Sequence, residues 1–356
     1  MNDGGKDMGK EVYKLTKNDF YKVTPLVKSN HELSVYSTVN GILNGEVYVN
    51  SIAHPTAALI KTCECNYIAG DAKDLEFNKA VFENIDFWDQ VTPDTSEWRD
   101  VICSNHKDKF IRAYTRRHYI LENGLEKEIN VELPEGYYLE EVNPNLLRQM
   151  KYNNVEDLIE WIDNWKDDEI FHKYGVGYYI RNDRDIVSWS LSDCTYNKKI
   201  AIGIHTDKKY RKCGFAKLVV SKVVQKCFAK GYESIDWLCV DCNKGSIGTA
   251  KSVGFKLADK YTSFTPYPPI ENLKDLTEDE WKEWGDYLFH ASKSEPKLLI
   301  DCMLSYIKGN TLEDAKDVLK TIHSMEIPMD FEMESFIDYL HSCDMASEFN
   351  VKWMEG

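Results

Sequence analysis

The chain has 356 residues, of which 43% are hydrophobic and 29% charged, and its formal net charge is -15. This size and composition exclude an intrinsically disordered protein and predict two folded domains with a short appendage. The sequence contains no apolar run of about 18 residues and no basic, apolar signal peptide at its start, so we expect a cytoplasmic protein without a membrane span.

The negative charge is concentrated in the last part of the chain. Residues 271–356 contain 20 Asp or Glu and 8 Lys, which accounts for most of the net charge. This distribution disfavours nucleic acid as a partner and would suit a cationic one.

The ten cysteines are scattered along the chain. Close pairs occur only at Cys63/Cys65 and Cys239/Cys242, without His neighbours at metal-ligand spacing. We therefore predict reduced, buried thiols and no metal site.

The first part of the chain predicts an N-terminal α/β domain over residues 12–130, preceded by a polar, mobile segment over residues 1–11. It begins with a helical pattern from Leu33 to Leu43. Its strand patterns are GEVYVNS, AALIKTCECNYIAG and IRAYTRRHYILE, and two further helical patterns are LEFNKAVFENI and EWRDVICSNHK.

The second domain is predicted over residues 131–269. After a strand and helical segments, three strand patterns with polar turns predict an antiparallel meander. A basic loop, a helix that ends at Gly231, a strand, a short helix that ends at Gly254 and a last strand follow. The expected fold is α+β, with a mixed, mostly antiparallel sheet flanked by helices.

Residues 270–356 predict an all-helical appendage. Helical spacing is present in four stretches, TEDEWKEWGDYLFHAS, PKLLIDCMLSYI, LEDAKDVLKTIHSM and MDFEMESFIDYLHSC.

The stretch DKKYRKCGFA, residues 207–216, combines cationic side chains with a Gly at the start of a helix. A helix N-terminus presents unpaired N–H groups and the positive end of the helix dipole, so it binds anions such as phosphate. Gly lets a ligand approach the backbone closely. The five cations are Lys208, Lys209, Arg211, Lys212 and Lys217.

The order of elements and the motifs in residues 136–267 resemble the GNAT superfamily of N-acetyltransferases. The acyl-CoA loop of that family corresponds to the residues from Arg211 to Ala216, and its later Asn and Gly-Phe signature to Asn243 and Gly254-Phe255. The stretches VSWSLSD, IGIHTDKKYRKCGFA and WLCVDCNKGSIGTAKSVGF are similar to the zwittermicin-resistance branch. The first segment also resembles that branch, in HPTAALI and YIAGD.

The resemblance implies that acetyl-CoA lies where the strand before the loop and the strand after the helix splay apart. Backbone groups of the strand would pair with the pantetheine arm, and amides of the loop would hold the pyrophosphate. Asn243 would lie near the departing thiol. The expected cofactor-binding residues are Ile204, His205, Thr206, Arg211, Lys212, Cys213, Gly214, Phe215, Ala216, Asn243 and Ser246.

The catalytic residues are less directly indicated. Many members of the family use a strand Glu and a helix Tyr, but the strand KKIAIGIHT has no carboxylate and Ala250 stands at the Tyr position. His205 could act as a base or be a packed strand residue. Asp193 could relay a proton through water or cap a turn.

Further candidates are Ser246, Asn243 and Tyr261. Ser246 could be the N-cap of the short helix or protonate the thiolate. Tyr261 could donate a proton or be packed in its strand.

The leading hypothesis is a GNAT-type acyltransferase that transfers an acetyl group from acetyl-CoA to the amine of a small molecule, such as an antibiotic or metabolite. The alternative is a CoA-binding sensor or protein-interaction module in which catalysis has decayed. The first segment is predicted to be a degenerate copy of the second, with the acceptor site near their junction. The sequence leaves the oligomeric state open.

Overall fold

The computed structural model describes residues 12–28, 31–83, 85, 90–105, 112–127, 129, 132–241, 243–265 and 278–327. Contacts divide the chain into two compact units, Met1–Asn272 and Leu273–Gly356. The segment 1–11, predicted to be mobile, lies outside the described residues.

The first half of the larger unit, residues 12–122, alternates short strands with helices. Its elements are β1 (Tyr13–Lys14), a 3-10 helix (Lys17–Leu26), α1 (Leu33–Val39), β2 (Glu46–Val49), β3 (Ala57–Lys61), β4 (Asn66–Gly70), α2 (Leu75–Glu83), β5 (Val91–Pro93), α3 (Trp98–Asn105) and β6 (Arg112–Glu122).

The second half, residues 138–265, repeats this alternation with longer elements. They are β7 (Tyr138–Glu141), α4 (Pro144–Leu147), α5 (Val155–Asp163), α6 (Asp168–Tyr174), β8 (Gly177–Arg181), β9 (Ile186–Tyr196), β10 (Lys199–Thr206), a 3-10 helix (Lys208–Tyr210), α7 (Phe215–Ala229), β11 (Ser234–Val240), α8 (Lys244–Val253) and β12 (Lys256–Thr265).

The two halves share one mixed sheet in which the strands of each half follow the same order. The sheet order is β1-β2-β3-β4-β5-β12-β6-β11-β10-β9-β8-β7. In the first half, neighbours from β1 to β4 are antiparallel and β4/β5 is parallel. In the second half, neighbours from β7 to β10 are antiparallel and β10/β11 is parallel. The first half therefore has the strand order of the second.

Strands β6 and β12 are exchanged between the halves. Strand β6 belongs to the first half but pairs with β11 and β12, both from the second. Strand β12 in turn pairs with β5 of the first half, where Phe264 faces Val91. The innermost strands thus join each half to the other by backbone hydrogen bonds.

The hydrophobic cores of this unit also draw on both halves. Phe264 of β12 is buried in a core with Phe77, Val81 and Trp98 of the first half. On one face of the second-half strands, Leu33 of α1 packs into the core that contains α5. The opposite face is covered by α7, whose apolar stripe is buried as its helical spacing predicts.

The smaller unit contains three described helices, α9 (Glu278–Ala291), α10 (Leu298–Lys308) and α11 (Leu312–Ser324). Helix α10 packs against both of the others. Gly285 of α9 permits a close crossing, because a Cβ there would come within 2.6 Å of the Tyr306 ring. The fourth predicted helix, MDFEMESFIDYLHSC, lies outside the described residues. Among the helices of the described residues, none combines the length and the apolar character that a membrane span requires.

Candidate active site

Strands β10 and β11 form a wedge. They pair only at Lys199/Ser234, Ile200/Ile235 and Ala201/Asp236. Beyond these positions β10 stays paired with β9 and β11 stays paired with β6. The two strands are therefore not paired with each other from Ile202 and Trp237 onward, and this opening gives access to the middle of the sheet.

A first cavity of about 390 Å³, here called the loop cavity, lies between the end of β10, the basic loop and the start of α8. All predicted cofactor-binding residues except Cys213 line it. Cys213 is an exposed free thiol. The lining also includes Lys217, one of the five cations of the basic loop, and Tyr210, Lys244, Gly245 and Thr249, which the sequence motifs do not indicate. Thr249 could have been found from the three-residue spacing Asn243, Ser246, Thr249, which places all three on one helix face.

The basic loop brings the N-terminus of α7 to this cavity. Gly214 is the N-cap residue of α7 and has φ of +84°, a left-handed conformation that Gly adopts without steric cost. Arg211 Nε donates a hydrogen bond of 3.1 Å to the Thr206 carbonyl, which ties the loop to the end of β10. The unpaired amides of α7 and the cations Arg211, Lys212 and Lys217 make this end of the cavity suitable for a diphosphate.

A second cavity of about 400 Å³, here called the inner cavity, meets the loop cavity at Ile204, Asn243 and Ser246. Both halves of the chain contribute to its walls. The first half contributes His31, Leu33, Ser34, Cys63 and Glu64. The second half contributes Trp161, Asn164, Asp193, Cys194, Ala201, Ile202, Gly203 and residues 236–240.

Asp193 reaches the inner cavity because β9 contains a bulge. Opposite Ala201 and Ile202 the register shifts, so that Cys194 and Ser192 are paired and Asp193 is the extra residue. Strand β9 continues to Tyr196, so the interpretation of Asp193 as a turn cap is wrong. Burial, and next the nearby charge of Glu64, raise the pKa of Asp193 well above its ordinary value.

The start of α8 places two polar side chains between the cavities. Asn243 is the N-cap residue, and its Oδ1 accepts a hydrogen bond of 2.8 Å from the Ser246 amide. The interpretation of Ser246 as the N-cap is therefore wrong, because the cap lies one turn earlier. Ser246 Oγ instead accepts a hydrogen bond of 2.9 Å from Trp237 Nε1. Burial raises the pKa of the Cys239 thiol, and a hydrogen bond with the Ser246 side chain acts in the opposite direction.

His205 lines the loop cavity and is absent from the described lining of the inner cavity. Its ring stacks on Trp189 with 4.3 Å between centroids. Burial, and next the positive charge of Arg211, lower the pKa of His205, so the imidazole is neutral near pH 7. The structure thus gives His205 both of the predicted features, a packed ring and access to a site.

Tyr261 is not brought together with the other candidates. It is absent from the described lining of both cavities. Its hydroxyl donates a hydrogen bond of 2.7 Å to Glu32 Oε1, and its ring stacks on His31 at 3.8 Å. Burial is the main reason why the pKa of Glu32 rises to about 7, with Arg116 acting in the opposite direction.

Comparisons with known proteins identify the family of this chain. The family model described as GNAT acetyltransferase matches residues 24–264. A GCN5-related N-acetyltransferase-like protein from Streptococcus suis is 21% identical, with a TM-score of 0.55 over 70% of this chain and 98% of its own. A tandem GNAT protein from the clavulanic acid biosynthesis pathway is 9% identical, with a TM-score of 0.48 over 72% and 99% of the two chains. The curated protein sequences give no match. The chain belongs to the GNAT acetyltransferase family.

Proposed function

We propose that this acyltransferase is an acetyl-CoA-dependent N-acetyltransferase that acts on a small amine. The observation that carries the proposal is the meeting of two cavities at Ile204, Asn243 and Ser246, inside the wedge between β10 and β11. One cavity is suited to a diphosphate and the other has acidic walls. In the reaction, the amine nitrogen gains the acetyl group, the thioester C–S bond breaks, a base takes one amine proton and the sulfur leaves as the thiol of CoA.

The residues of the loop cavity fit acetyl-CoA, which supplies the acetyl group as a thioester. The amides from Lys212 to Ala216 and the Arg211 side chain would hold the pyrophosphate. The edge of β10 that β11 leaves unpaired, from Ile204 to Thr206, would hold the pantetheine arm. Asn243 would contact the arm near its sulfur end.

The acid and base roles follow from which cavity each side chain lines. Asp193 lies on the inner cavity, and burial raises its pKa, which makes its carboxylate a stronger base toward an amine proton than an ordinary Asp. Ser246 lies at the boundary between the cavities and can donate its hydroxyl proton there. His205, on the loop cavity, orients the cofactor or acts as a second base.

The first half has the strand order of the second without its anion site, which supports its description as a degenerate copy. The loop before α2 contains Asp71, Lys73 and Asp74, and thus more acidic than basic side chains, where the second half has its cations. Asp74 Oδ1 accepts from the Phe77 amide at 3.0 Å, and Asp71 Oδ1 accepts from the Lys73 amide at 2.9 Å. We therefore propose that one cofactor binds per chain, in the second half.

Two finer assignments belong to the same proposal. The motifs from Val187 to Phe255 support a place in the zwittermicin-resistance branch of the family. The described cysteines are free thiols, which is typical of a cytoplasmic protein.

Calorimetry with acetyl-CoA, together with measurement of thiol release in the presence of a panel of small amines, tests the proposal. We expect saturable binding of acetyl-CoA and thiol release that depends on both the enzyme and the amine. Absence of acetyl-CoA binding would contradict the cofactor assignment. Binding without thiol release on any amine would contradict the reaction and favour a CoA sensor.

A further inference from the structure

The inner cavity has an acidic lining. Among its described lining residues, Glu64, Asp193 and Asp236 carry carboxyl groups. Glu64 comes from the turn between β3 and β4, and its Oε2 lies 3.3 Å from a terminal nitrogen of Arg116 on β6. The guanidinium of Arg116 therefore compensates Glu64 directly, whereas Asp193 and Asp236 accept no hydrogen bond from an Arg or Lys among the described residues.

Asp236 is the most deeply buried of the three carboxyl groups. It is 1% exposed and occupies the last paired position of β11, at the apex of the wedge. His118 Nε2 lies 3.2 Å from its Oδ2, yet neither oxygen of Asp236 accepts a hydrogen bond from the described residues. A buried carboxylate without donors is strongly unfavourable, so the cavity is built for a ligand that brings N–H groups and positive charge.

The side chains around Asp236 are not arranged as the ligands of a metal ion. Within the described ranges, no group of three or more His, Cys, Asp or Glu side chains is arranged to hold a metal. The cavity walls also include the apolar side chains of Leu33, Trp161 and Leu238. Acidic groups between apolar walls are suited to an organic ammonium ion with a short carbon chain.

The amine that reacts cannot serve as this cation. It must lose its proton before it attacks the acetyl group, so its charge is absent when the new bond forms. In the proposed reaction Asp193, beside Gly203 of β10, takes that proton. Asp236 at the apex takes no part in that proton transfer, so its carboxylate can pair with a second positive group on the acceptor.

We propose that the acceptor is a small diamine. One nitrogen reacts beside Asp193, and the other remains an ammonium ion held by Asp236. Glu64 of the first half also lines the cavity that holds this ammonium ion. This inference rests on the proposed acetyl transfer. It makes the first half of the chain, which carries no cofactor site, a determinant of acceptor specificity.

The test compares diaminobutane with aminobutanol, which is matched in length but carries a hydroxyl in place of the second ammonium. Thiol release by the full chain is measured at saturating acetyl-CoA. We expect kcat/KM for diaminobutane to exceed that for aminobutanol by about tenfold or more, because a buried charge pair is lost with the alcohol. Equal kcat/KM values would overturn this inference.

Two variants locate the effect. Asp236→Asn keeps the shape of the side chain and removes its charge. Glu64→Gln does the same at Glu64 and leaves the Arg116 guanidinium without this counterion, so that its positive charge opposes a second ammonium in the cavity. In each, we expect the preference for diaminobutane to fall toward unity while the affinity for acetyl-CoA is unchanged. Glu233→Gln, at an exposed ion pair with Lys198, is the matched control and should keep the preference.

The outcomes separate the two proposals. Thiol release from both acceptors, with a preference that neither Asp236→Asn nor Glu64→Gln reduces, overturns the diamine assignment alone. Absence of thiol release with every amine, despite bound acetyl-CoA, overturns the proposed function and this inference with it.

Discussion

The carboxylate of Asp193 on β9 packs against the α-carbon of Gly203 on β10. A Cβ at Gly203 would come within 3.0 Å of Asp193 Oδ2 and within 2.7 Å of the Trp161 ring. Strand β10 has no carboxylate of its own. Gly203 leaves room on this strand for the carboxylate of Asp193, which comes from β9. The bulge of β9 and the missing side chain of β10 together place Asp193 in the inner cavity.

Gly203→Ala should displace Asp193 and lower turnover by about tenfold or more, because a small misplacement of a catalytic group is costly. Overpacking should also destabilise the fold by about 1–3 kcal/mol. Thermal unfolding and thiol release measure the two effects. Gly248→Ala is the control, since nothing lies within 4 Å of a Cβ at this position in α8, and it should be neutral or stabilising. Wild-type turnover in Gly203→Ala would contradict this role.

Asp193→Asn should lower kcat by about 10² or more, the usual contribution of a general base. A base must be deprotonated, so wild-type activity should fall as the pH drops through the raised pKa of Asp193, well above the ordinary range of Asp. The variant should lose this acidic limb of the pH profile and retain acetyl-CoA affinity.

His205→Ala provides the comparison for Asp193→Asn. If His205 is the base, the substitution should lower turnover more than about tenfold without changing acetyl-CoA affinity. If His205 only orients the cofactor, the affinity should fall instead, because its side chain lines the loop cavity. Calorimetry and thiol release on one preparation separate the two roles, and unchanged turnover would remove His205 as a base.

Arg211→Glu should weaken acetyl-CoA binding by about tenfold or more, because it replaces a cation near the pyrophosphate with an anion and removes the bond to the Thr206 carbonyl. Calorimetry measures the change. Lys251→Glu makes the same change of charge at an exposed position of α8 that is absent from the described lining of both cavities, and it should leave binding intact. Equal affinities in the two variants would contradict the pyrophosphate site.

Glu32 should make the fold less stable as the pH rises. Its folded pKa of about 7 lies above the ordinary value of 4.5, so between these values the folded state holds a proton that the unfolded state has lost. The free energy of unfolding should fall across this window, by on the order of 3 kcal/mol for this group alone. Glu32→Gln should flatten the decline in denaturant titrations between pH 4 and 8. Glu233→Gln, at an exposed glutamate, should not.

Fragments should fail to fold separately. Residues 1–130 contain β6 without its partners β11 and β12, and residues 131–356 lack β6. We expect neither fragment to show the cooperative thermal transition of the sheet unit, and the two expressed together to copurify as one species. A cooperative transition in residues 1–130 alone would show that the exchanged strands are dispensable.

Site residues that lie within one short motif could be predicted from the sequence. Site residues that are brought together by strand pairing between the two halves could not. The basic loop, Gly214 and Asn243 lie within short motifs whose geometry is set by their own helix ends. Glu64 and Arg116 reach the site only through strands that pair across the two halves, and a pattern along the chain does not encode such pairing. Asp236 did leave a signal, as a single charge within the apolar strand SIDWLCV, because buried carboxylates normally have a partner or a function.

The exchange of β6 and β12 has a consequence for biosynthesis. The ribosome completes residues 112–122 before it has made residues 234–265. During this interval both edges of β6 lack the strands β11 and β12 with which they pair in the finished sheet. Open strand edges recruit other chains, and partly made proteins aggregate through them. We therefore expect the yield of this protein in a cell to depend on how quickly translation passes from Glu122 to Thr265, in addition to the stability of the finished molecule.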